Sequence, residues 1–162
     1  MLIRPVEPGE HEAVAAMTVA VYADVLQGIL TDDYRAELAD VARRAHDAVV
    51  LVAVDPTGRL LGSVTYVPSP YSQYAEFRGD DEVGVRMLVV APDAQRQGVG
   101  SRLVGACIER ARAAGRTRVS LHTTASMTAA RRLYERLGFA RAPERDWVPE
   151  PGVHLLGYLL AL

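Results

Sequence analysis

The sequence predicts an α/β fold: a mixed central sheet of about six or seven strands flanked by about four helices. Three observations carry that expectation. Apolar runs joined by short connections stand near both ends of the chain and read as antiparallel pairs. A strand–helix–strand crossover stands in the middle and demands a parallel pair. No repeat, low-complexity run or linker divides the 162 residues, so a single domain over residues 1–162 is expected.

In order along the chain, Leu2–Val6 reads as a short strand. Pro8 to about Val25 follows as a helix, with Val14, Met17, Val21 and Val25 at three- and four-residue spacing. A more polar helix is expected over Asp32–Ala45. Ala48–Val54 is an almost continuous apolar strand, Asp55-Pro56-Thr57-Gly58 a turn, and Leu60–Val67 its hairpin partner. Pro68–Asp81 carries two prolines, Gly79 and three aromatics, which reads as a loop. Val83–Val90 is a strand that stops at Ala91-Pro92. Gln95–Gly100 is a turn opening a helix that ends near Gly115, and Arg118–Thr123 is the next strand. Thr128–Leu137 is a helix with Ala130, Leu133, Tyr134 and Leu137 on its apolar face, stopped by Gly138 in the left-handed cap conformation. Strands near Ala140–Val148 and Val153–Leu162 close the chain.

Composition removes several classes of function. An apolar fraction of 49% with 23% charged residues is that of an ordinary globular chain. A formal charge of −2 argues against nucleic acid as a partner, because phosphate recognition needs an excess of positive charge. The start, Met1-Leu2-Ile3-Arg4-Pro5, shows no basic segment followed by an apolar one, so no secretion signal is expected. Val153–Leu162 is too short to cross a bilayer, and no membrane association is expected. A single cysteine forms no internal disulfide and suits a reducing, cytoplasmic setting. Cys107 shares a helical stripe with Leu103, Val104, Ile108 and Ala111, so it is expected to be an inert core residue.

Most of the chemistry lies in Gln95-Arg96-Gln97-Gly98-Val99-Gly100-Ser101. The segment follows a strand, holds two glycines and leads into a helix. Glycine allows close backbone approach, and the helix start offers unpaired N–H groups with positive dipole character, so a pyrophosphate is the natural guest. The dinucleotide fingerprint fails because Leu103 stands where its third glycine belongs. The Walker pattern fails because the chain has no lysine.

This segment resembles the Q/R-x-x-G-x-G/A signature of the GNAT acetyltransferases, preceded at the expected distance by Met87-Leu88-Val89-Val90-Ala91-Pro92. Downstream, Leu121-His122-Thr123 and then Leu133-Tyr134-Glu135-Arg136-Leu137-Gly138-Phe139 resemble the family's second acyl-CoA motif. The resemblance is strong over Val83–Phe139, and the remaining elements follow in matching order. It implies the GNAT fold, acetyl-CoA as co-substrate, no metal, and transfer of an acetyl group to a primary amine by direct attack on the thioester.

Carried over residue by residue, the resemblance implies that the strand before the cradle splays from its neighbour, with Leu88, Val89 and Val90 beside the pantetheine arm. Pyrophosphate oxygens would accept from the amides of Arg96, Gln97, Gly98, Val99, Gly100 and Ser101, with Gln95 opening the cofactor-binding motif and added charge from Arg96. Tyr134 falls on the tyrosine that protonates the departing thiolate in similar enzymes; a packing role on its amphipathic helix is the plain alternative. The base stays open. Many members carry a glutamate where this chain has Gly84, and Glu82 faces the same way two residues earlier. Others carry a glutamate at the position of His122, and a histidine is able to accept a proton near neutral pH. Water relays are the third route. At Met127 the chain departs from an asparagine that contacts the cofactor in many relatives.

On the acceptor side, the resemblance directs attention to the first helices and the loop between the third and fourth strands. Tyr22, Tyr71 and Tyr74, with Asp24, Glu76, Asp80 and Asp81, would suit a cationic amine. A small amine and a peptide N-terminus stay equally open, as does a homodimer. A different class of function is a silent acyl-CoA-binding sensor or partner module, which Gly84 favours and Tyr134 disfavours.

Overall fold

The computed structural model describes all 162 residues, Met1–Leu162. Its sheet contains β1 (Leu2–Pro5), β2 (Val49–Val54), β3 (Leu60–Val67), β4 (Glu82–Val90), β5 (Arg118–Thr123), β6 (Ala140–Arg141), β7 (Trp147–Glu150) and β8 (Val153–Ala161). The order across the sheet is β1-β2-β3-β4-β5-β8-β6, with β7 paired to β8. β4 and β5 form the parallel pair at the crossover, and every other pairing is antiparallel. The helices are α1 (His11–Val25), α2 (Asp32–Ala39), α3 (Val41–Asp47), α4 (Val99–Ala113) and α5 (Thr128–Arg136). The sheet is mixed as expected, and the counts rise to eight strands and five helices because two predicted elements divide.

The predicted helix over Asp32–Ala45 breaks at Asp40, whose ψ of 69° is not helical. Two side chains satisfy the backbone groups that the break exposes. Asp40 Oδ1 accepts from Arg43 N at 3.1 Å to cap α3. Arg44, buried, donates to the carbonyls of Glu37 and Leu38 at 3.3 and 3.1 Å and so caps the end of α2. The predicted strand over Ala140–Val148 divides at Pro143, where a 3-10 turn over Pro143–Arg145 separates β6 from β7.

The main core lies between the sheet and helices α4 and α5. Val99, Leu103, Val104, Cys107, Ile108 and Ala111 of α4 are all buried in it, as the stripe in the sequence predicts. Burial pushes the Cys107 thiol up to about 12, which keeps it protonated and unreactive. Leu133, Tyr134 and Phe139 belong to the same cluster, and Gly138 takes φ +95° beyond the end of α5. A second cluster, with Leu38, Val67, Tyr74, Phe77 and Met87, packs on the opposite face under α1 and α2. No helix is long and apolar enough to cross a membrane.

Gly62 ties the layers together. A β-carbon there would stand 2.6 Å from the Val89 carbonyl oxygen and 3.2 Å from side-chain carbons of both Leu103 and Val99. Backbone on one side and the first turns of α4 on the other leave little room to yield. Gly62→Ala is expected to destabilise the fold by about 1–3 kcal/mol, read as a lower denaturant midpoint at constant m-value. An unchanged midpoint would mean that α4 is not seated as described.

Candidate active site

The site begins where β4 and β5 part. They pair only through Glu82↔Arg118, Val83↔Val119 and Gly84↔Ser120, after which β5 stays with β8 to Thr123 and β4 stays with β3. A bulge opposite Ser63–Thr65 marks the divergence, and within it Met87 takes φ +54°. An extra residue in one strand bends it and raises its twist, which turns β4 away from β5. The Ala91 N–H bonds back to Leu61 O at 2.9 Å, so Ala91 faces β3. Alternation then turns the peptide groups of Val90 toward the gap. The Val90 carbonyl meets only Gln95 Nε2, at 3.5 Å. Val89 is different: it pairs with Ser63 and its side chain is buried.

Beyond β4 the chain curls into the cradle. Arg96 and Gly98 take φ values of +61° and +79°, and α4 starts at Val99 with no side-chain cap. The N–H groups of Arg96, Gln97, Gly98, Val99, Gly100 and Ser101 find no acceptor in the chain, and the first helical bond of this end runs from Arg102 N to Gly98 O. Left-handed residues two apart followed by a helix start form a concavity of N–H groups suited to an anion. The two glycines serve different ends. A β-carbon on Gly98 would meet open space, and the positive φ is what calls for glycine. Gly100 would meet Leu133 at 3.1 Å, so it allows α4 to lie close against α5.

The gap opens on a cavity of about 330 Å³ on the side of α1 and α2. Its lining includes Tyr22, Tyr34, Leu88, Met127, Tyr134 and the β7–β8 hairpin residues Trp147 and Glu150. Tyr134 packs its ring on Phe139 at 5.9 Å and Tyr158 at 6.4 Å. Burial pushes its phenol far above the ordinary 10, so it stays protonated, and its hydroxyl hydrogen-bonds to nothing in the chain.

A charged cluster forms the floor. Glu76 meets His122 Nδ1 at 2.8 Å and Arg86 Nη2 at 3.2 Å, and Arg86 also approaches Glu37 at 3.6 Å. His122 Nε2 lies 2.9 Å from the Arg145 carbonyl oxygen. A carbonyl and a carboxylate only accept, so His122 satisfies both by donating from both nitrogens, as an imidazolium. Burial is the largest influence and opposes that charge, but the hydrogen bond and the charge of Glu76, with the Arg145 carbonyl, together outweigh it and the His122 pKa rises above 6.5. Burial likewise opposes ionisation of Glu76, and His122 and Arg86 overcome it, holding the carboxyl below 4.5.

These contacts sort the residues singled out in the sequence. Tyr134, His122, Tyr22 and Leu88 converge on the cavity. Glu82 does not: it is 2% exposed, ion-paired to Arg145 with one bond of 3.1 Å, and absent from the lining. Tyr71 is 88% exposed at a loop tip, and Tyr74 is a core residue packed with Leu38 and Phe77. Neither loop tyrosine lines the cavity, although the sequence places both on the acceptor side. Glu76, Arg86, Tyr34, Trp147 and Glu150 line the cavity as well, and of these the sequence had pointed to Glu76 alone, as one acid among several on its loop.

The acetyltransferase (GNAT) family profile matches residues 17–139. A mycothiol acetyltransferase of Pseudarthrobacter chlorophenolicus is 39% identical over 145 residues, covering 86% of this chain and 42% of that protein. The chain thus spans less than half the length of that relative. An aminoglycoside N(6')-acetyltransferase type 1 of Klebsiella aerogenes is 28% identical over 88% of this chain and 91% of its own. Among solved structures, a GNAT family acetyltransferase from Brucella melitensis in complex with acetyl-CoA superposes with a TM-score of 0.66 at 22% identity, covering 99% of this chain and 86% of that one. The chain belongs to the GNAT acetyltransferase family.

The Glu76–His122 pair has a defined pH signature. His122, with its folded pKa raised, adds stability that is full below 6.5 and is lost as pH rises through the folded value. Glu76, with its folded pKa lowered, adds stability that is full above 4.5 and is lost as pH falls through the folded value. The pair therefore supports the fold best between 4.5 and 6.5. Ring-proton NMR should place the His122 midpoint above 6.5, and Glu76→Gln should lower it, because burial is then opposed by less. Equal midpoints in parent and variant would show that the contact is absent in solution.

Proposed function

We propose that this chain is an N-acetyltransferase that moves an acetyl group from acetyl-CoA to a primary amine by direct attack on the thioester. The observation that carries the reading is the unbroken run of unpaired N–H groups from Arg96 to Ser101, set beside the free edge of β4. Pyrophosphate would lie on those amides, with Gln95 at the entry to the turn and Arg96 adding charge. The pantetheine arm would follow Leu88, Val89 and Val90, hydrogen-bonding the peptide groups turned toward the gap. The thioester would then reach the cavity next to Tyr134.

In the transfer, the neutral amine attacks the carbonyl carbon, the C–N bond forms and the C–S bond breaks. Tyr134 gives its proton to the departing sulfur and recovers one from the proton that the amine sheds through water. The phenol is a weaker acid than a thiol, so donation is useful only while charge builds on sulfur, and the effect should be moderate. His122 is a poor base in this geometry because both of its nitrogens already donate. Glu82 is committed to Arg145. A water relay is the base that the geometry supports best. The relatives named for mycothiol and for aminoglycosides favour a small-molecule amine over a peptide N-terminus as the first acceptor to test.

One observation favours a second reading. With both candidate bases engaged, the chain would also serve as a silent acyl-CoA-binding module. Thiol release from acetyl-CoA in the presence of an amine panel separates the two: an enzyme releases CoA in step with the amine, and a sensor only binds.

Two variants test the parts. Gly98→Val places a β-branched residue at φ +79° and should raise the acetyl-CoA Kd more than about tenfold, or 1.4 kcal/mol, in a folded protein. Unchanged calorimetric affinity would remove the cradle from the argument. Tyr134→Phe keeps the ring volume and should keep most acetyl-CoA affinity, while turnover at saturating acetyl-CoA falls by roughly ten- to a thousandfold. Parental turnover, with chemistry rate-limiting, would leave Tyr134 as a packing residue.

A further inference from the structure

Gly84 gives β4 no side chain beside the parting of the strands, and the structure shows what occupies that space. A β-carbon on Gly84 would stand 2.8 and 3.1 Å from the Phe77 ring and 3.5 Å from Val67. Phe77 comes from the β3–β4 loop and is buried over the glycine. The residue before it, Glu76, enters the cavity from that same loop. The loop is fastened on its other side by Ser72 Oγ and Gln73 N, which donate to Asp47 Oδ2 at 2.6 and 3.0 Å. Glu76 is therefore placed by a packed aromatic and an anchored loop.

Its surroundings fix it further. One oxygen faces Arg86 of β4 and the other faces His122 of β5, so the carboxylate bridges the two strands where they diverge. Each oxygen keeps a lone pair for another donor. His122 cannot swing away, because its far nitrogen holds the Arg145 carbonyl and Trp147 meets its ring edge-on at 6.5 Å. Glu37 and Glu150 also line the cavity, but Glu37 has one cation at 3.6 Å and Glu150 is exposed on the hairpin.

We propose that Glu76 is the acceptor-binding carboxylate of this protein, receiving the ammonium group of the incoming amine at the cavity floor, with His122 and Arg86 as its positioning residues. The assignment rests on the N-acetyltransferase reading above. Glu76 directs the nitrogen by hydrogen bonding and is not the sink for its proton, since two flanking cations hold it ionised. The ammonium gives up that proton to water before its lone pair attacks the thioester carbon.

The experiment uses the whole chain with acetyl-CoA and three acceptor probes: spermidine, glucosamine and alanine amide. Glu76→Gln should raise the KM of the amine that the parent uses by about tenfold or more, and leave the acetyl-CoA KM within about twofold. Glu76→Asp should recover part of the loss, and His122→Gln should raise the acceptor KM more than it lowers kcat. Circular dichroism and acetyl-CoA calorimetry establish that each variant is folded. Binding is read separately from the His122 ring signals, with glucosamine against glucose as an amine and hydroxyl pair. The parent should favour the amine and Glu76→Gln should lose that preference. If the parent turns over no amine yet shows this Glu76-dependent preference, the transfer reading fails and Glu76 stands as an amine-binding carboxylate only. A parental acceptor KM in Glu76→Gln, a fall in kcat alone, or an unchanged preference for glucosamine would each overturn the assignment.

Discussion

The parting of β4 and β5 after the Gly84–Ser120 pair is the constraint on which the other features of the site depend. A parallel pair in the middle of a sheet is ordinarily paired along its length, because unpaired N–H and C=O groups buried from water are costly. Here β5 remains paired with β8 through Thr123, while β4 follows β3 through a bulge at Met87. A methionine at φ +54° is a strained choice, and its side chain is held in the cluster under α1 and α2 with Tyr74 and Phe77. Packing on one face of the sheet thus maintains a backbone distortion that opens the other edge of the strand. The cradle and the cavity both take their positions from that opening.

Across the gap runs a connected chain of charged groups: Glu82, Arg145, His122, Glu76, Arg86 and Glu37. Arg145 is its joint, with the guanidinium on Glu82 and the carbonyl on His122. Buried ions of this kind contribute little net stability, because desolvation offsets much of the attraction. What they contribute is definition: removing one member leaves a neighbour charged and unpaired, so each group tolerates a single arrangement. The network also links β4, β5, the β3–β4 loop and the turn before β7 across the opening. It explains why the two residues that looked most like bases in the sequence are poor ones in the fold.

The parts of this structure legible in the sequence are those set by local patterns. The stripe on α4, the cap at Gly138, the hairpin of β2 and β3 and the glycine turn before α4 all follow from spacing and turn chemistry. The break at Asp40 was not legible, because it is sustained by Arg44 reaching back to carbonyls of the preceding helix. Neither was the fate of the loop aromatics: Tyr71 and Tyr74 are alike in composition and opposite in burial. Glu82 illustrates the limit of the period-two rule. The rule gives the face of the strand, but Arg145, far along the chain, decides whether the carboxylate is free. Glu76 was visible only as one acid among several, since Phe77, His122 and Arg86, which single it out, meet only in the folded protein.

Unsatisfied polar groups give the site its unity. The amides from Arg96 to Ser101 lack acceptors, the carbonyl of Val90 has one long contact, and the Tyr134 hydroxyl has no partner in the chain. Arg96, Gln97 and Gly98 are exposed, so water can serve such groups in the free chain, and it is their concentration on one path that points to a ligand. A phosphate ion would answer the first set alone, and a peptide strand the second alone. A molecule that answers all three must carry an anionic end, an extended arm with amide groups and a reactive centre that profits from a phenolic donor. Acetyl-CoA has those three features in that order. The free groups of this chain therefore argue for a single elongated ligand along one continuous groove.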